Sequence, residues 1–217
     1  MIEALKQRYS VLKGNKGDET LTGKDIVKIT LNLVVVYLIG GLILVVVYAK
    51  TSPIMFKNAV IEKEAALKKL MPDADKIEKM GDWYIHEKHS EYFVAKKGDN
   101  IIGYIVQSFG KGYSSYIDTL IAVDNDFKVQ RINILGHAET PGLGDEIDAK
   151  SFKDQFMGKD VEHLKVLKAD KTEYIQAISG ATISSRAVAE DAVKNGVDFL
   201  IKTIKERGAA HGTDKHS

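Results

Sequence analysis

The chain of 217 residues contains no cysteine. Disulfide bonds, thiolate metal sites, cysteine nucleophiles and a lipid-modified N-terminal cysteine are therefore excluded. The chain also lacks an excess of charge of either sign, since its formal net charge is +1, and this excludes a global basic field for nucleic acid. Neither absence decides the cellular compartment, because a cysteine-free protein is stable on either side of a membrane.

Several common functional signatures are also missing. The glycine-containing loops lack the spacing of a dinucleotide fingerprint and of a phosphate-cradling nucleotide loop. His137 has no partner nucleophile placed by the sequence, so no Ser/His/Asp arrangement is predicted. His86 and His89 are three residues apart, but no carboxylate or third histidine completes a metal site, and we expect both on the surface.

One long apolar run lies near the N-terminus. Residues 29–49 carry no charge, are rich in Leu, Ile and Val, and are bounded by Lys28 and Lys50. A helix of this length spans a hydrocarbon core of about 30 Å. A buried core helix or a cleaved signal peptide has a similar composition, but this run is longer than a usual signal core, so we predict a retained transmembrane helix. Lysines flank both ends, so the charges leave its orientation open.

The rest of the chain predicts an α+β fold that follows the single transmembrane helix. Apolar residues alternate around hairpin turns, which predicts antiparallel strands at 92–96, 101–109, 116–123 and 127–135. Further patterns predict helices at 59–70 and 152–156, a strand at 164–167 and a long amphipathic helix near the C-terminus. The predicted segments are an N-terminal arm at 1–28, the transmembrane helix at 29–49, a juxtamembrane helix and connector at 50–90, a folded domain with flanking helices at 91–207 and a flexible tail at 208–217.

The stretch Ser179–Arg186 is small and hydroxylic and stands directly before the last helix pattern. Ser184 or Ser185 is the predicted N-cap of that helix. The first backbone N–H groups of a helix are unpaired and favour an anion, so the Thr182 hydroxyl is expected beside a phosphate-binding position. Taken alone, this chemistry favours a plain turn with a helix cap.

A second loop, His137–Gly144, follows the last predicted strand. Gly142 and Gly144 let backbone N–H groups approach a ligand, and Glu139 and Thr140 can hydrogen-bond to its polar edge. Each residue taken singly is explained by a structural turn. Together with the hydroxylic stretch, however, the loop predicts a cleft for a phosphorylated, planar ligand.

The two stretches together resemble the signatures of a known family. Ser-Gly-Ala-Thr-Ile-Ser-Ser at 179–185 looks like the flavinylation motif of covalent FMN-binding domains, and His-Ala-Glu-Thr-Pro-Gly-Leu-Gly at 137–144 is similar to their second signature. With a transmembrane helix ahead of them, the chain resembles the G-type subunits of Rnf ion-translocating electron transport complexes, which are related to the C-type subunit of the sodium-pumping NADH:quinone reductase. Gln176 departs from the aspartate that the family often carries, and this puts the role of that position in attachment in doubt.

The resemblance implies that a separate flavin transferase joins FMN through its phosphate to the Thr182 side chain. The isoalloxazine ring is then free to carry one or two electrons, and the protein holds and tunes it. The implied role is electron transfer within a membrane-bound ferredoxin:NAD oxidoreductase complex coupled to ion translocation, and it requires no catalytic residue or metal in this chain. Besides Thr182, the implied cofactor-binding residues are Ser179, Gly180, Ala181, Ser184, Glu139, Thr140, Leu143 and Gly144.

The resemblance also implies the setting of the protein. It places the chain in the bacterial inner membrane as a single-pass protein, with its soluble domain on the periplasmic side and with integral-membrane, iron–sulfur and flavin subunits as partners. Three alternatives stay open at this point. The first is the equivalent subunit of the sodium-pumping quinone reductase, the second a membrane-anchored FMN-binding sensory domain, and the third a structural membrane protein without a cofactor.

Overall fold

The computed structural model describes residues 22–167 and 173–213, with side chains described up to residue 206. Most of the predicted N-terminal arm and the last residues of the predicted tail lie outside these ranges. Contacts between residues divide the chain into two units, Met1–Lys57 and Asn58–Ser217.

Helix α1 runs from Gly23 to Leu70 and belongs to both units. The sequence predicts a span and a separate juxtamembrane helix, whereas the structure shows one helix with Pro53 inside it. The apolar side chains of its first part are exposed, and its length and composition suit a membrane crossing. A helix that is apolar on all sides and unburied by its own protein needs an apolar solvent, which a bilayer supplies.

A five-stranded antiparallel sheet lies at the centre of the second unit. Each strand pairs only with its neighbours in sequence, in the order β1-β2-β3-β4-β5. The last four strands confirm the predicted hairpins, because their alternating apolar residues and short turns encode strand structure locally. The strands are β1 Lys76–Ile85, β2 Lys88–Lys97, β3 Asn100–Lys111, β4 Tyr116–Val123 and β5 Val129–Gly136.

Strand β1 lies where the sequence predicts only a connector. Its pairing with β2 shifts register between Lys79 and Gly81, so a bulge interrupts the alternation that marks a strand. Trp83 is its main anchor, since the indole Nε1 donates to the Gln107 carbonyl at 2.9 Å and the ring stacks on Phe199 at 4.3 Å. These contacts are distant in sequence, and a local pattern does not contain them.

The two faces of the sheet carry different cores. One face packs against the end of α1 and the residue that follows it, through Ala66, Leu67, Leu70 and Met71. The other face packs against the C-terminal helical stretch, and both cores are rich in β-branched and aliphatic residues. The sheet is therefore buried on both sides, which explains the near-continuous apolar runs of its central strands.

The chain after β5 forms the layer that carries the hydroxylic stretch. The predicted helix at 152–156 is a short α-helix continued by a 3-10 turn, and the predicted strand at 164–167 shrinks to a two-residue parallel pair with a segment 9 residues on. The last helix continues to Thr213, into the predicted tail. The elements are 3-10 turns at Gly144–Asp148, Asp154–Phe156 and Val161–His163, helix α2 Lys150–Lys153, strands β6 Val166–Leu167 and β7 Ile175–Gln176, helix α3 Thr182–Arg186, a π-helical segment Ala187–Val193 and helix α4 Lys194–Thr213.

A polar network joins the end of α1 to the sheet. Lys63 pairs with Glu91 and donates to Gln107 Oε1 at 2.6 Å, and Gln107 Nε2 donates to the two carboxylate oxygens of Asp118 at 2.9 and 2.8 Å. Burial raises the pKa of Asp118 to about 6, against the opposing effects of the Gln107 hydrogen bond and the Lys63 charge. Asp118 therefore changes its protonation state close to neutral pH.

The network predicts a pH-dependent effect of Asp118→Asn. Below pH 3.8, the ordinary pKa, Asp118 is protonated whether the chain is folded or not, and its ionisation has no effect on stability. Between pH 3.8 and about 6, the unfolded chain ionises Asp118 while the folded chain keeps it protonated, so the free energy of unfolding falls by about 2 to 3 kcal/mol and then levels off above pH 6. We expect Asp118→Asn to be more stable than the wild type by that amount at pH 7.5.

The measurement is urea unfolding of the full chain in detergent at several pH values. The stability difference between Asp118→Asn and the wild type should shrink as pH falls through 6 and vanish near pH 3.5. Asp73→Asn, which changes an exposed carboxylate in the same unit, is the matched control and should follow the wild type. A difference for Asp118→Asn that is constant with pH contradicts the prediction.

Candidate cofactor site

Two loops and the start of α3 meet at one place in the second unit. The first is the predicted loop His137–Gly144, and the second is the short connection Gly112–Ser115 between β3 and β4. The His137–Gly144 loop contacts the first turn of α3, which begins at Thr182, and the Gly112–Ser115 connection contacts Glu139 of that loop. The tertiary structure thus brings together the two stretches that the sequence singled out, together with a third segment that it did not.

Glu139 lies at the centre of this meeting point and is only 5% exposed. Its Oε2 accepts from the Tyr113 backbone N–H at 3.0 Å and from the Ser184 hydroxyl at 2.5 Å. Its Oε1 accepts from the backbone N–H groups of Ser114 and Ser115 at 3.0 and 3.1 Å. The carboxylate therefore connects its own loop to the other loop and to α3.

All four partners of Glu139 donate to it, which favours the ionised form of the carboxyl. Burial by itself raises the pKa of Glu139. The hydrogen bonds from Ser184 and from the three backbone N–H groups outweigh burial, so the pKa lies below its usual value. Successive backbone N–H groups that converge on one anion form a nest, and they stabilise a buried charge without a cation.

Glycines allow the segments to approach this closely. Gly180 has a φ of +77°, and a Cβ there would lie 2.6 Å from Leu143 Cδ2. A Cβ on Gly144 would lie 2.8 Å from the Glu139 Cβ and 3.0 Å from the Ser184 Oγ. The two predicted stretches thus pack directly on each other, and the glycine of one faces a side chain of the other.

The serines at the start of α3 are not its N-caps. The helix begins at Thr182, Ala181 is the N-cap position, and no side chain caps it. Ser184 and Ser185 lie within the helix, both buried: Ser184 donates to Glu139, while Ser185 donates to the Ala181 carbonyl at 2.9 Å. The N-cap prediction is wrong because tertiary and local hydrogen bonds commit both hydroxyls elsewhere.

The remaining hydroxyls of the stretch are differently placed. Ser179 is exposed, and Thr182 is partly exposed at the first residue of the helix. The first N–H groups of α3 have no intrahelical acceptor, and the uncapped start leaves them available to an anion. These features suit a phosphate ester on Thr182, because the ester oxygen would stand where the helix favours negative charge.

The loop His137–Gly144 closes on itself around Thr140. The Thr140 carbonyl accepts from the N–H groups of Leu143 at 3.2 Å and Gly144 at 3.0 Å, and Gly142 adopts a φ of +74°. The side chain of Leu143 is exposed on this turn, and that of Ile183 is exposed on α3. Apolar surface is therefore present on both segments that adjoin the anion-favouring helix start.

The described histidine contacts do not include the Glu139 carboxylate, although His137 Nδ1 accepts from the Glu139 backbone N–H at 3.2 Å. His137 contacts Asp148 at 3.2 Å, His86 contacts Asp191 at 2.8 Å, and His89 contacts Asp82. Across residues 22–167 and 173–206, no group of three or more His, Asp or Glu side chains is arranged to hold a metal ion.

A cleft of about 680 Å³ opens beside the residues that precede Ser179. Phe152, Tyr174 and Ile178 line it, and the backbone N–H of Gln176 donates to Gln155 Oε1 at 2.7 Å. Neither this cleft nor the role of the 112–115 connection is predicted from the sequence. A Cβ on Gly112 would lie 2.5 Å from Glu139 Oε1, and this close approach is visible only in the tertiary structure.

Comparison with known proteins assigns the class. Residues 112–198, which contain both loops and the start of α3, match the FMN-binding domain family. The chain is therefore a membrane-anchored α+β protein with an FMN-binding domain. It belongs to the family of G-type subunits of ion-translocating oxidoreductase complexes.

Individual relatives give the extent of the similarity. The G-type subunit of the proton-translocating ferredoxin:NAD(+) oxidoreductase complex of Clostridium ljungdahlii is 39% identical over 80% of this chain and 91% of its own length. The G-type subunit of the ion-translocating oxidoreductase complex of Methanosarcina acetivorans is 29% identical over 82% and 95%. The crystal structure of the C-type subunit of the Na(+)-translocating NADH-quinone reductase of Parabacteroides distasonis is 29% identical with a TM-score of 0.45, over 54% of this chain and 63% of that one.

Proposed function

We propose that this chain is an electron-transfer subunit of a membrane-bound ferredoxin:NAD oxidoreductase complex coupled to ion translocation. Membership of the G-type subunit family and the FMN-binding domain support this role. The name of the Clostridium ljungdahlii relative states both the ferredoxin:NAD reaction and proton translocation. An electron carrier needs no catalytic side chains of its own, because the bound flavin accepts and donates the electrons.

FMN is attached to Thr182 through a phosphoester. The observation that supports this most is the state of the hydroxyls in the 179–185 stretch. Ser184 and Ser185 are buried and hydrogen-bonded, whereas the Thr182 hydroxyl stands partly exposed at an uncapped helix start. In the attachment, Thr182 Oγ bonds to phosphorus, a pyrophosphate P–O bond of a flavin dinucleotide donor breaks, and the departing nucleoside monophosphate takes the proton.

The surrounding residues hold the cofactor in two ways. Ser179, Gly180 and Ala181 leave space at the helix start for the phosphate, and the free N–H groups stabilise its negative charge. Thr140, Leu143 and Gly144 form the opposite edge, with the exposed Leu143 as an apolar surface for a planar ring. When bound, the flavin supplies one- and two-electron chemistry.

The setting follows from the same proposal. Helix α1 anchors the protein as a single-pass chain in the inner membrane, with its FMN-binding domain on the periplasmic side. The partners are the other membrane, iron–sulfur and flavin subunits of the complex, together with the flavin transferase. A covalent bond keeps the cofactor on a domain that has no free FMN pool around it. Protease digestion of oriented vesicles tests this topology, and a domain protected from outside protease contradicts it.

The test of the function uses the full chain, purified in detergent from cells that contain a flavin transferase. After denaturation, flavin fluorescence should remain with the polypeptide, and the added mass should map to the peptide that contains Thr182. Membranes that lack this chain should lose ferredoxin-dependent NAD reduction and regain it with the wild-type chain. Release of all flavin on denaturation overturns the covalent attachment, and unchanged NAD reduction without the chain overturns the role.

A further inference from the structure

We propose that Glu139 is the positioning residue of the attachment site, holding the start of α3 in the conformation that presents Thr182. This inference rests on the proposed function and deepens it. The resemblance alone implies a contact between Glu139 and the flavin ring. The geometry points to a different role, because both carboxylate oxygens are already used by donors of the protein itself.

The Glu139 carboxylate is a buried charge that hydrogen bonds, rather than a cation, compensate. Glu139 is 5% exposed and ionised, yet within residues 22–167 and 173–206 no lysine, arginine or histidine forms an ion pair with it. A buried carboxylate is unfavourable unless hydrogen bonds compensate it. Three backbone N–H groups and one hydroxyl compensate this one, so the charge and the positions of its donors depend on each other.

The Glu139 carboxylate joins the first turn of α3 to the 112–115 connection. Ser184 is two residues after Thr182, in the first turn of α3, and its hydroxyl donates to Glu139 at 2.5 Å. The three N–H donors belong to consecutive residues of the 112–115 connection. Removing the carboxylate therefore frees the loop and the helix turn together, although Glu139 does not touch Thr182 in any described hydrogen bond.

The backbone packs tightly around the Glu139 carboxylate. A Cβ on Gly112 would come within 2.5 Å of Glu139 Oε1, and a Cβ on Gly144 would come within 3.2 Å of Oε2. Glycine backbone thus closes over the carboxylate from two sides. This packing keeps the carboxylate directed at its donors. The arrangement of Glu139, the 112–115 connection and α3 therefore does not depend on bound flavin.

The substitution Glu139→Gln tests this role with little change of shape. The glutamine Oε1 can still accept from Ser114 and Ser115, but its NH₂ group then faces the Tyr113 N–H, and two donors oppose each other. Ser184→Ala removes only the bond to α3 and leaves the three backbone bonds in place. Glu146→Gln changes an exposed glutamate nearby and is the matched control.

The experiment measures the rate at which the transferase attaches flavin to the folded full chain, at a temperature well below unfolding. The thermal unfolding midpoint and the amide hydrogen exchange rates are measured for the same variants. We expect Glu139→Gln to slow attachment at least tenfold and to speed exchange at 113–115. Ser184→Ala should slow attachment several-fold with a smaller fall of the midpoint than Glu139→Gln, and Glu146→Gln should match the wild type in every measurement.

The outcomes separate this inference from the proposed function. A folded Glu139→Gln chain that is flavinylated at the wild-type rate overturns the positioning role, even if its midpoint falls, because the residue is then only structural. If Glu139→Gln does not fold, Ser184→Ala decides, and wild-type attachment there overturns the role. A wild-type chain that never acquires flavin overturns the proposed function instead. Unchanged amide exchange at 113–115 in flavin-free Glu139→Gln overturns the role of the carboxylate in holding the 112–115 connection.

Discussion

Replacing Thr182 by alanine is expected to remove all covalently bound flavin from the chain. The substitution deletes the hydroxyl at the first position of α3 and leaves the helix intact, since alanine is the best helix former. Ser184 and Ser185 cannot replace it, because both are buried and donate hydrogen bonds inside the protein. Intact-mass spectrometry of the purified full chain, produced together with the flavin transferase, measures the loss directly.

Two further variants test whether the Thr182 hydroxyl itself is responsible. Thr182→Ser keeps a hydroxyl at the same position and should still acquire flavin. Ser151→Ala removes an exposed hydroxyl on α2 and should be flavinylated to the wild-type level. A flavin adduct on Thr182→Ala would assign the attachment to another residue.

Replacing Gly110 by alanine is expected to destabilise the second unit by about 3 kcal/mol or more. A Cβ at Gly110 would lie 1.8 Å from the Ala187 carbonyl oxygen, 2.6 Å from its carbon and 3.2 Å from the Ala192 nitrogen. All three are backbone atoms, so no side-chain rotation relieves the overlap. The π-helical segment that follows α3 must move away from the sheet, and the core between them opens.

Urea unfolding of the full chain in detergent measures this effect. Gly136→Ala is the matched control, since Gly136 ends strand β5 and a Cβ there would meet no atom within 4 Å. We expect the control to stay within about 0.5 kcal/mol of the wild type. An unfolding midpoint of Gly110→Ala equal to that of the control contradicts the close approach of strand and helix. Flavin attachment should also fall in Gly110→Ala, because Thr182 moves with the displaced segment.

The parts of the fold that the sequence predicts are those encoded locally. Strands β2 to β5 follow from alternating apolar residues and short turns, and the apolar run at 29–49 indicates a span by its length alone. Strand β1 was not predictable in this way. It has a bulge and is held by contacts such as Trp83 on Phe199, which join residues far apart in the chain.

In the candidate site, too, the locally encoded features are predictable from the sequence and the tertiary contacts are not. The motif residues from 137 to 144 and from 179 to 185 are recognisable in the sequence, because glycine and hydroxyl patterns are local. The hydrogen-bond partner of each hydroxyl, by contrast, cannot be recognised from the sequence. Ser184 fits an N-cap by pattern, and only the approach of Glu139 from a loop 45 positions earlier commits it to another bond.

The sequence by itself determined the α+β class, the membrane anchor, and the two stretches on which the family resemblance depends. The tertiary structure alone decided which of these side chains are buried in hydrogen bonds and which stay exposed. The reason is physical, because a buried carboxylate needs donors that surround it in space. For Glu139 those donors come from the 112–115 connection and from Ser184 on α3, and their convergence leaves Thr182 as the hydroxyl available at an uncapped helix start.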